Sequence, residues 1–508
     1  MEQNLKKTSI KKITSYLFIL RIIRMLFSVI TVTFTAKYFG VSIEKDYWVL
    51  VLTFTTTIVS ALWGPINEIF RTKFIYIKET EGEEIALNKS ASLVGFIFCM
   101  TTILAILLFI FSENIAFLLT NNNSTEAISL FTVLLISMLP SLLINEITSI
   151  CISVLNAYEV YYLPEIVGVF SGMIHLFIII ILAPIIGIYS LLVSNYLAII
   201  SLLIVVLIFL HKKGLSIIWQ RLFNFRFSEV KIFLLFAIPF FFPYFVGQLN
   251  ALSEKYLAGM LGSGSISSLD YARQFINILQ SVLSSTLTTI MVPMLAKAFI
   301  KNEKKEFAKI LKENFSICFC ISCLAICMLS GASDSLCRFF FLRGNVTEDN
   351  IQIIINLTTT FGFSFIGVLI YIILGMALLA SNKSKQYATI GVATQILVLS
   401  MNMLFYRNIN IYIFPISYGI SHLLAGILMF IILKIETKQH IAFYLLKSIC
   451  YIICFTAILY IFNYWINFDS SLVNVVINII ILILISPLIA VSFGISLKPI
   501  LKKIKIRK

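Results

Sequence analysis

Charge is scarce in this chain. Asp, Glu, Lys and Arg make up 12% of its 508 residues, about half the share of a soluble globular protein. With 59% hydrophobic residues beside so little charge, it has too few polar groups to cover a folded surface in water. Histidine is rarer still: His175, His211, His422 and His440 are the only four, and they are scattered. The patterns that carry catalysis or nucleotide binding are missing. There is no Gly-rich phosphate loop, no His-Glu-x-x-His zinc pattern and no carboxylate pair in a polar loop of useful size. No ATP-binding domain is present, so any energy input comes from an ion gradient, the membrane potential or a ligand's own gradient. No cofactor is expected.

What the chain does have is long apolar blocks. Leu176–Ile186, Leu202–Leu210 and Val475–Val491 contain no charge. A bilayer core of about 30 Å needs roughly 20 apolar residues per helix, and blocks of that order recur from end to end. The fold class is therefore an all-α polytopic membrane protein. About fourteen spans are predicted, at roughly 13–36, 46–70, 91–112, 128–153, 164–187, 189–210, 231–261, 265–296, 315–336, 351–380, 388–406, 411–433, 442–463 and 472–497. The first is too long and too charged for a cleavable signal peptide. The connections are short, and the largest on the outside are roughly 15 residues, which disfavours a membrane enzyme with a catalytic loop.

The formal net charge is +15, but it follows the membrane rather than a nucleic-acid surface. With the N-terminus in the cytoplasm, 30 of the 39 Lys and Arg fall inside. Five fall outside: Lys37, Lys45, Arg338, Arg343 and Arg407. The loop Glu113–Ala127, with its run Asn121-Asn122-Asn123, has none. This positive-inside bias places both termini in the cytoplasm and requires an even number of spans; the membrane is expected to be a bacterial inner membrane. The tail Lys498–Lys508 reads as a topology anchor touching anionic lipid.

The remaining four cations lie inside spans: Arg21, Arg24, Lys255 and Arg273. A charge there is costly and persists where it faces a wet cavity or a partner. Arg21 and Arg24 are three apart, hence on one helix face. Lys255 follows Glu254, and Arg273 lies three after Asp270. Asp46, Glu68 and Glu146 are further intramembrane acids. The cations are candidates for holding a phosphate-bearing anion, and Asp46, Glu254, Asp270 and Glu68 for gating or for coupling to Na+ or H+. The competing explanations are snorkelling of the arginines to the interface and a structural Glu254–Lys255 ion pair. Pro239 and Pro243 predict a bend in the seventh span. Of nine cysteines, Cys318, Cys320, Cys323 and Cys327 share one apolar span. No His or carboxylate lies among them, so they read as packing residues and not as a metal site.

An internal repeat is visible. Ala36-x3-Gly40 followed by Asp46-Tyr47 recurs as Ala258-x3-Gly262 followed by Asp270-Tyr271. The offset spans six helices, which predicts two parallel lobes with the ligand between them. The expected organisation is a tail at 1–12, an N-terminal lobe at 13–230, a C-terminal lobe at 231–441, a helix pair at 442–497 and a basic tail at 498–508.

Several segments in order resemble the MviN/MurJ group of lipid-linked oligosaccharide flippases, in the multidrug/oligosaccharidyl-lipid/polysaccharide exporter superfamily. They are Thr35-Ala-Lys-Tyr-Phe-Gly-Val41 with Asp46, Trp63-Gly-Pro-Ile-Asn67, Gln248-Leu-Asn250 and Glu254-Lys-Tyr-Leu-Ala258. Gly262-Ser-Gly-Ser-Ile-Ser267, Asp270-Tyr-Ala272, Val292-Pro-Met-Leu295 and Phe341-Leu-Arg-Gly344 with Thr347-Glu-Asp349 continue the likeness. The resemblance implies two six-helix lobes, a lipid-facing groove at the last two spans, and alternating access for a polyprenyl-pyrophosphate sugar such as lipid II. Where that family places first-span arginines, this chain has Met25 and Thr31, with Arg24 adjacent. The family's arginine in the second span falls near Ile58–Val59, and that of the eighth on Gln274, beside Arg273. The resemblance thus implies the lipid-linked sugar class, with a capsule, O-antigen or exopolysaccharide unit competing with lipid II. An ion-coupled small-molecule exporter from the drug-extruding branch is the alternative, and a membrane enzyme acting on lipid-linked sugars is the second. The oligomeric state is open.

Overall fold

The computed structural model describes residues 2–120, 124–158, 160, 162–219, 222–287, 291–433, 438–466 and 468–492. All regular structure among the described residues is helical. Among the described residues eleven segments are long and apolar enough to cross a membrane, and one of these, Ser384–Leu433, has 50 residues, enough for two crossings. Most of the fourteen expected spans fall on one helix each; the eighth, 265–296, is divided between Ser265–Thr286 and Val292–Ile300, with 288–290 outside the described residues, and the ninth runs past the break at Ala332, so about fourteen stands as an approximate count. Large apolar side chains remain exposed along these helices, among them Ile185, Leu404, Leu484 and Leu488. In water such a surface would drive association; against lipid it costs nothing.

The chain divides into two compact units, Met1–Ser267 and Ser268–Lys508. The first contains α1 (Glu2–Phe39), α2 (Ile43–Glu81), α3 (Glu83–Ile110), α4 (Ser112–Thr120), α5 (Thr125–Ala157), α6 (Tyr162–Ile186), α7 (Tyr189–Lys212) and α8 (Phe227–Gly259). Its boundaries follow local chemistry. Gly40 takes φ +59, and its N–H bonds to Ala36 O at 2.9 Å, so the first motif glycine is a helix C-cap. The Ser42 hydroxyl accepts from Lys45 N at 3.2 Å and caps α2. Gly82, at φ +100, separates α2 from α3. Both helices therefore run on into the charged segment 71–90. Polar side chains inside the apolar helices are satisfied locally: Thr35, Thr53 and Thr55 donate to carbonyls four residues back.

Two short helices occupy stretches that the sequence assigns wholly or partly to connections, the second beginning inside the expected span 315–336. α4 lies in the expected loop Glu113–Ala127, burying Ala116 and Leu119. Asn121, Asn122 and Asn123 lie outside the described residues. In the second unit, α12 (Ser333–Phe341) follows a break at Ala332. Both helices are too short to span and show too few apolar residues to register as a span.

The second unit continues α9 (Ser265–Thr286) and holds α10 (Val292–Ile300), α11 (Lys304–Gly331), α12, α13 (Glu348–Ala380), α14 (Ser384–Ile409), α15 (Ile413–Leu433), α16 (Lys438–Trp465) and α17 (Ser471–Ser492). Asn410, at φ +62, breaks α14 from α15. Helices α13 and α15 touch along a seam of small residues. A Cβ on Gly419 would lie 2.8 Å from the Ser364 backbone, and one on Gly426 2.7 Å from Ile370. Close backbone approach of this kind drives helix association in lipid. Cys327 packs against Leu459 and Leu482, and Cys318, Cys320 and Cys323 are also buried. The tail 498–508 lies outside the described residues.

Candidate functional site

The two arginines of α1 meet α6. Arg21 Nε donates to Glu165 Oε1 at 2.8 Å, and Arg24 Nη1 to Glu165 Oε2 at 3.4 Å. The arginine side chains are 38% and 54% exposed, whereas Glu165 is only 13% exposed. One carboxylate in the first turn of α6 thus faces two guanidinium groups from one face of α1. Gly168, one turn further along α6, makes the approach possible. A Cβ there would stand 2.9 Å from Arg24 Cδ. Glu165 is a functional candidate that sequence reasoning missed, because a carboxylate heading a helix matches an ordinary favourable dipole contact.

On α8, Glu254 and Lys255 are both buried, with Lys255 Nζ 3.7 Å from Glu254 Oε1. The helix is continuous through Pro239 and Pro243. Beside Pro243, the Tyr244 hydroxyl donates to Glu68 Oε2 at 2.9 Å. The Tyr244 ring lies over Gly64 of α2, where a Cβ would clash at 2.5 Å. Glu146 is buried on α5 and accepts from Asn67 Nδ2 at 3.1 Å.

Asp46 has a different setting. Its Oδ2 accepts from Gly264 N at 2.6 Å and its Oδ1 from Ser267 N at 2.7 Å. The carboxylate is almost fully buried at the N-terminus of α9, where unsatisfied N–H groups and the helix dipole favour an anion. Gly264 holds φ +85, which aims its amide at the carboxylate.

In the second unit, the Arg273 guanidinium lies over the rings of Phe361 and Tyr418, 5.1 and 5.8 Å from their centroids. Asp270 is half-buried one turn earlier. The Tyr418 hydroxyl donates to Gln280 Oε1 at 3.2 Å. Outside the spans, Arg338 Nε bonds Asp334 Oδ1 at 2.9 Å, and its Nη2 bonds Glu348. These contacts, that to Glu348 foremost, raise its pKa further. Among the described residues no group of three His, Cys, Asp or Glu could hold a metal ion.

These cations sit on a helical frame with known relatives. The family model described as "Lipid II flippase MurJ" matches residues 35–484. The chain belongs to the MurJ lipid II flippase family. That is a family of transporters rather than enzymes, and it makes this a multi-pass inner-membrane protein. The lipid II flippase MurJ of Burkholderia cenocepacia is 23% identical over 209 residues, 41% of this chain and 40% of that protein. The match to that relative therefore spans less than half its length. The probable lipid II flippase MurJ of Buchnera aphidicola subsp. Acyrthosiphon pisum is 23% identical over 353 residues, 68% of each chain. A solved structure of MurJ in an inward closed conformation superposes with TM-score 0.79 at 18% identity, covering 94% of this chain and 98% of that one. An inward-facing multidrug resistance MATE transporter matches with TM-score 0.66 at 12% identity, over 83% of this chain and 95% of that one. The MurJ fold is thus shared, and the MATE fold is its structural relative.

Proposed function

We propose that this protein flips a polyprenyl-pyrophosphate-linked sugar across the inner membrane by alternating access. The substrate class includes a lipid II-like precursor and surface-polysaccharide repeat units. The observation that carries the reading is the pair Arg21 and Arg24 presented by one helix face to a single carboxylate. Two forked cations against one anion leave donors for the oxygens of a diphosphate, and Glu165 holds the pair in position while no substrate is bound. Arg273 and Lys255 are further candidate contacts. Both termini face the cytoplasm, which cysteine labelling at either end of the chain would check. The driving force is a Na+ or H+ gradient or the membrane potential, with Asp46, Glu254, Asp270 and Glu68 as the acids to test. The 1–12, 13–230, 231–441, 442–497 and 498–508 organisation is kept as the working division.

The test is outward display of a fluorescent undecaprenyl-pyrophosphate disaccharide in proteoliposomes containing the full chain. Substituting Arg24, Lys255 and Arg273 together by Ala should reduce flipping more than a hundredfold. Full activity in that triple variant would remove the diphosphate mechanism. Export of cationic dyes by the same proteoliposomes would favour the MATE-like reading instead.

A further inference from the structure

A cavity in the second unit is not used by the cation mechanism. It has a volume of about 960 Å³ and lies among α11, α12, α13, α16 and α17, at the upper end of the range for small-molecule sites. Its lining is unusual for a lipid-embedded cavity. Four carboxamides, Gln352, Asn356, Asn463 and Asn474, and two carboxylates, Asp334 and Asp469, face it. Its rim is aromatic: Tyr460 and Tyr464 are 67% and 77% exposed, with Phe468 beside them.

The floor is built and fixed. Asn463 Nδ2 donates to Gly331 O at 3.2 Å and to Asn478 Oδ1 at 3.1 Å, and Asn478 Nδ2 returns the bond to Asn463 Oδ1 at 2.9 Å. Asn478 Nδ2 also reaches Ser335 Oγ at 3.3 Å. This reciprocal pair joins α16 to α17 and both to the α11–α12 corner, so the floor is tied together by protein contacts alone. The only cation in the lining, Arg338, is committed to Asp334 and Glu348. The cavity therefore carries no cationic excess and is a poor seat for a phosphate. Asn463 is held in the floor, Asn474 is bonded to both backbone polar atoms of Phe468 and Asp334 is paired with Arg338, so the groups that offer donors and acceptors to vicinal hydroxyl and acetamido groups are Asp469 and the Gln352–Asn356 pair. Exposed aromatic rings offer apolar faces with a polar edge. That combination fits a neutral sugar.

We propose that this cavity binds the sugar headgroup of the lipid-linked substrate at a later stage, after its diphosphate has left the arginines. The inference rests on the flippase reading. It opens at the ends of α11, α13, α16 and α17 that the charge distribution places outside, so it would receive the headgroup on the product side.

The test uses the full chain in lipid nanodiscs, so that no glycoside detergent competes, with N,N′-diacetylchitobiose as the probe and saturation-transfer NMR as the readout. The wild type should bind the disaccharide. The double variant Asn356→Ala, Tyr464→Ala should bind at least tenfold more weakly, whereas Tyr464→Phe, which keeps the ring, should stay within threefold. Inorganic pyrophosphate should not displace the probe. Absence of binding to the wild type, unchanged affinity in the double variant, or displacement by pyrophosphate would each overturn the inference. Unchanged affinity would leave Tyr464 as a plain interfacial aromatic. Flipping by the same protein separates the two readings. Flipping without disaccharide binding removes the sugar cavity and leaves the flippase standing. Disaccharide binding without flipping removes the flippase and keeps the cavity as a sugar site.

Discussion

Asp46 and Glu165 are two carboxylates of the same unit with opposite surroundings. Asp46 meets two backbone amides and is buried. Glu165 meets two arginine side chains, both only partly covered by the rest of the protein. Backbone amides cannot leave, so the first carboxylate fixes the geometry of a turn. Arginine side chains can exchange one anion for another, so the second sets how much positive charge α1 presents. The same functional group is a structural fastener in one place and a replaceable counterion in the other.

The largest expected effect comes from breaking the fastener. Asp46→Ala leaves two inward-facing N–H groups without their charged acceptor. At about 1.5–3 kcal/mol per hydrogen bond to a charged group, it should destabilise the first unit by about 3 kcal/mol, seen as a lower thermal midpoint and a lower folded yield. Asp46→Asn retains one acceptor and should fall between. A midpoint unchanged in both variants would mean that the clamp contributes nothing. Next in size is Arg24→Ala, expected to slow flipping at least tenfold with the thermal midpoint nearly unchanged, because Arg24 makes the longer contact to Glu165, at 3.4 Å, and Arg21 keeps the one at 2.8 Å. Loss of folding in step with activity would erase the contrast with Asp46.

Glu165→Gln sharpens the comparison from the other side. It removes the counterion and leaves Arg21 and Arg24 with a neutral acceptor. Pyrophosphate should bind about threefold to tenfold more tightly by calorimetry. Weaker binding would show that the carboxylate orients the arginines for substrate rather than competing with it. The smallest effect is expected at Tyr244→Phe, which deletes the bond to exposed Glu68 but keeps the ring over Gly64. A change above about 1.5 kcal/mol in the unfolding free energy, more than a typical single hydrogen bond contributes, would contradict that small role.

The spans were legible because each is a long apolar block, and the bilayer sets its length independently of tertiary contacts. The turns between motif residues were legible through Gly40 and Gly262, both of which take positive φ. The partners of the charges were not. Glu165 lies 144 residues from Arg21, and Gly264 lies 218 from Asp46; nothing local in either segment names the other. Sequence placed Asp46 among gating or ion-coupling acids, and its role there stays open to the transport assays above, although its contacts are those of a cap. Gly168 shows the same limit: its value is the space it leaves for Arg24, and an absent side chain has no signature in one sequence. The short helices α4 and α12 escaped notice because an apolar-length criterion sees only segments long enough to cross.

The reciprocal amides of Asn463 and Asn478 carry no formal charge. An elementary charge moved across a bilayer gains or loses about 2.3 kcal/mol per 100 mV, but a neutral carboxamide pair feels almost none of that field. The α16–α17 pair is thus fastened to its neighbours by a contact that neither voltage, salt nor pH across the ordinary range can loosen. Whatever the membrane potential does to the rest of the molecule, it has no direct hold on this contact.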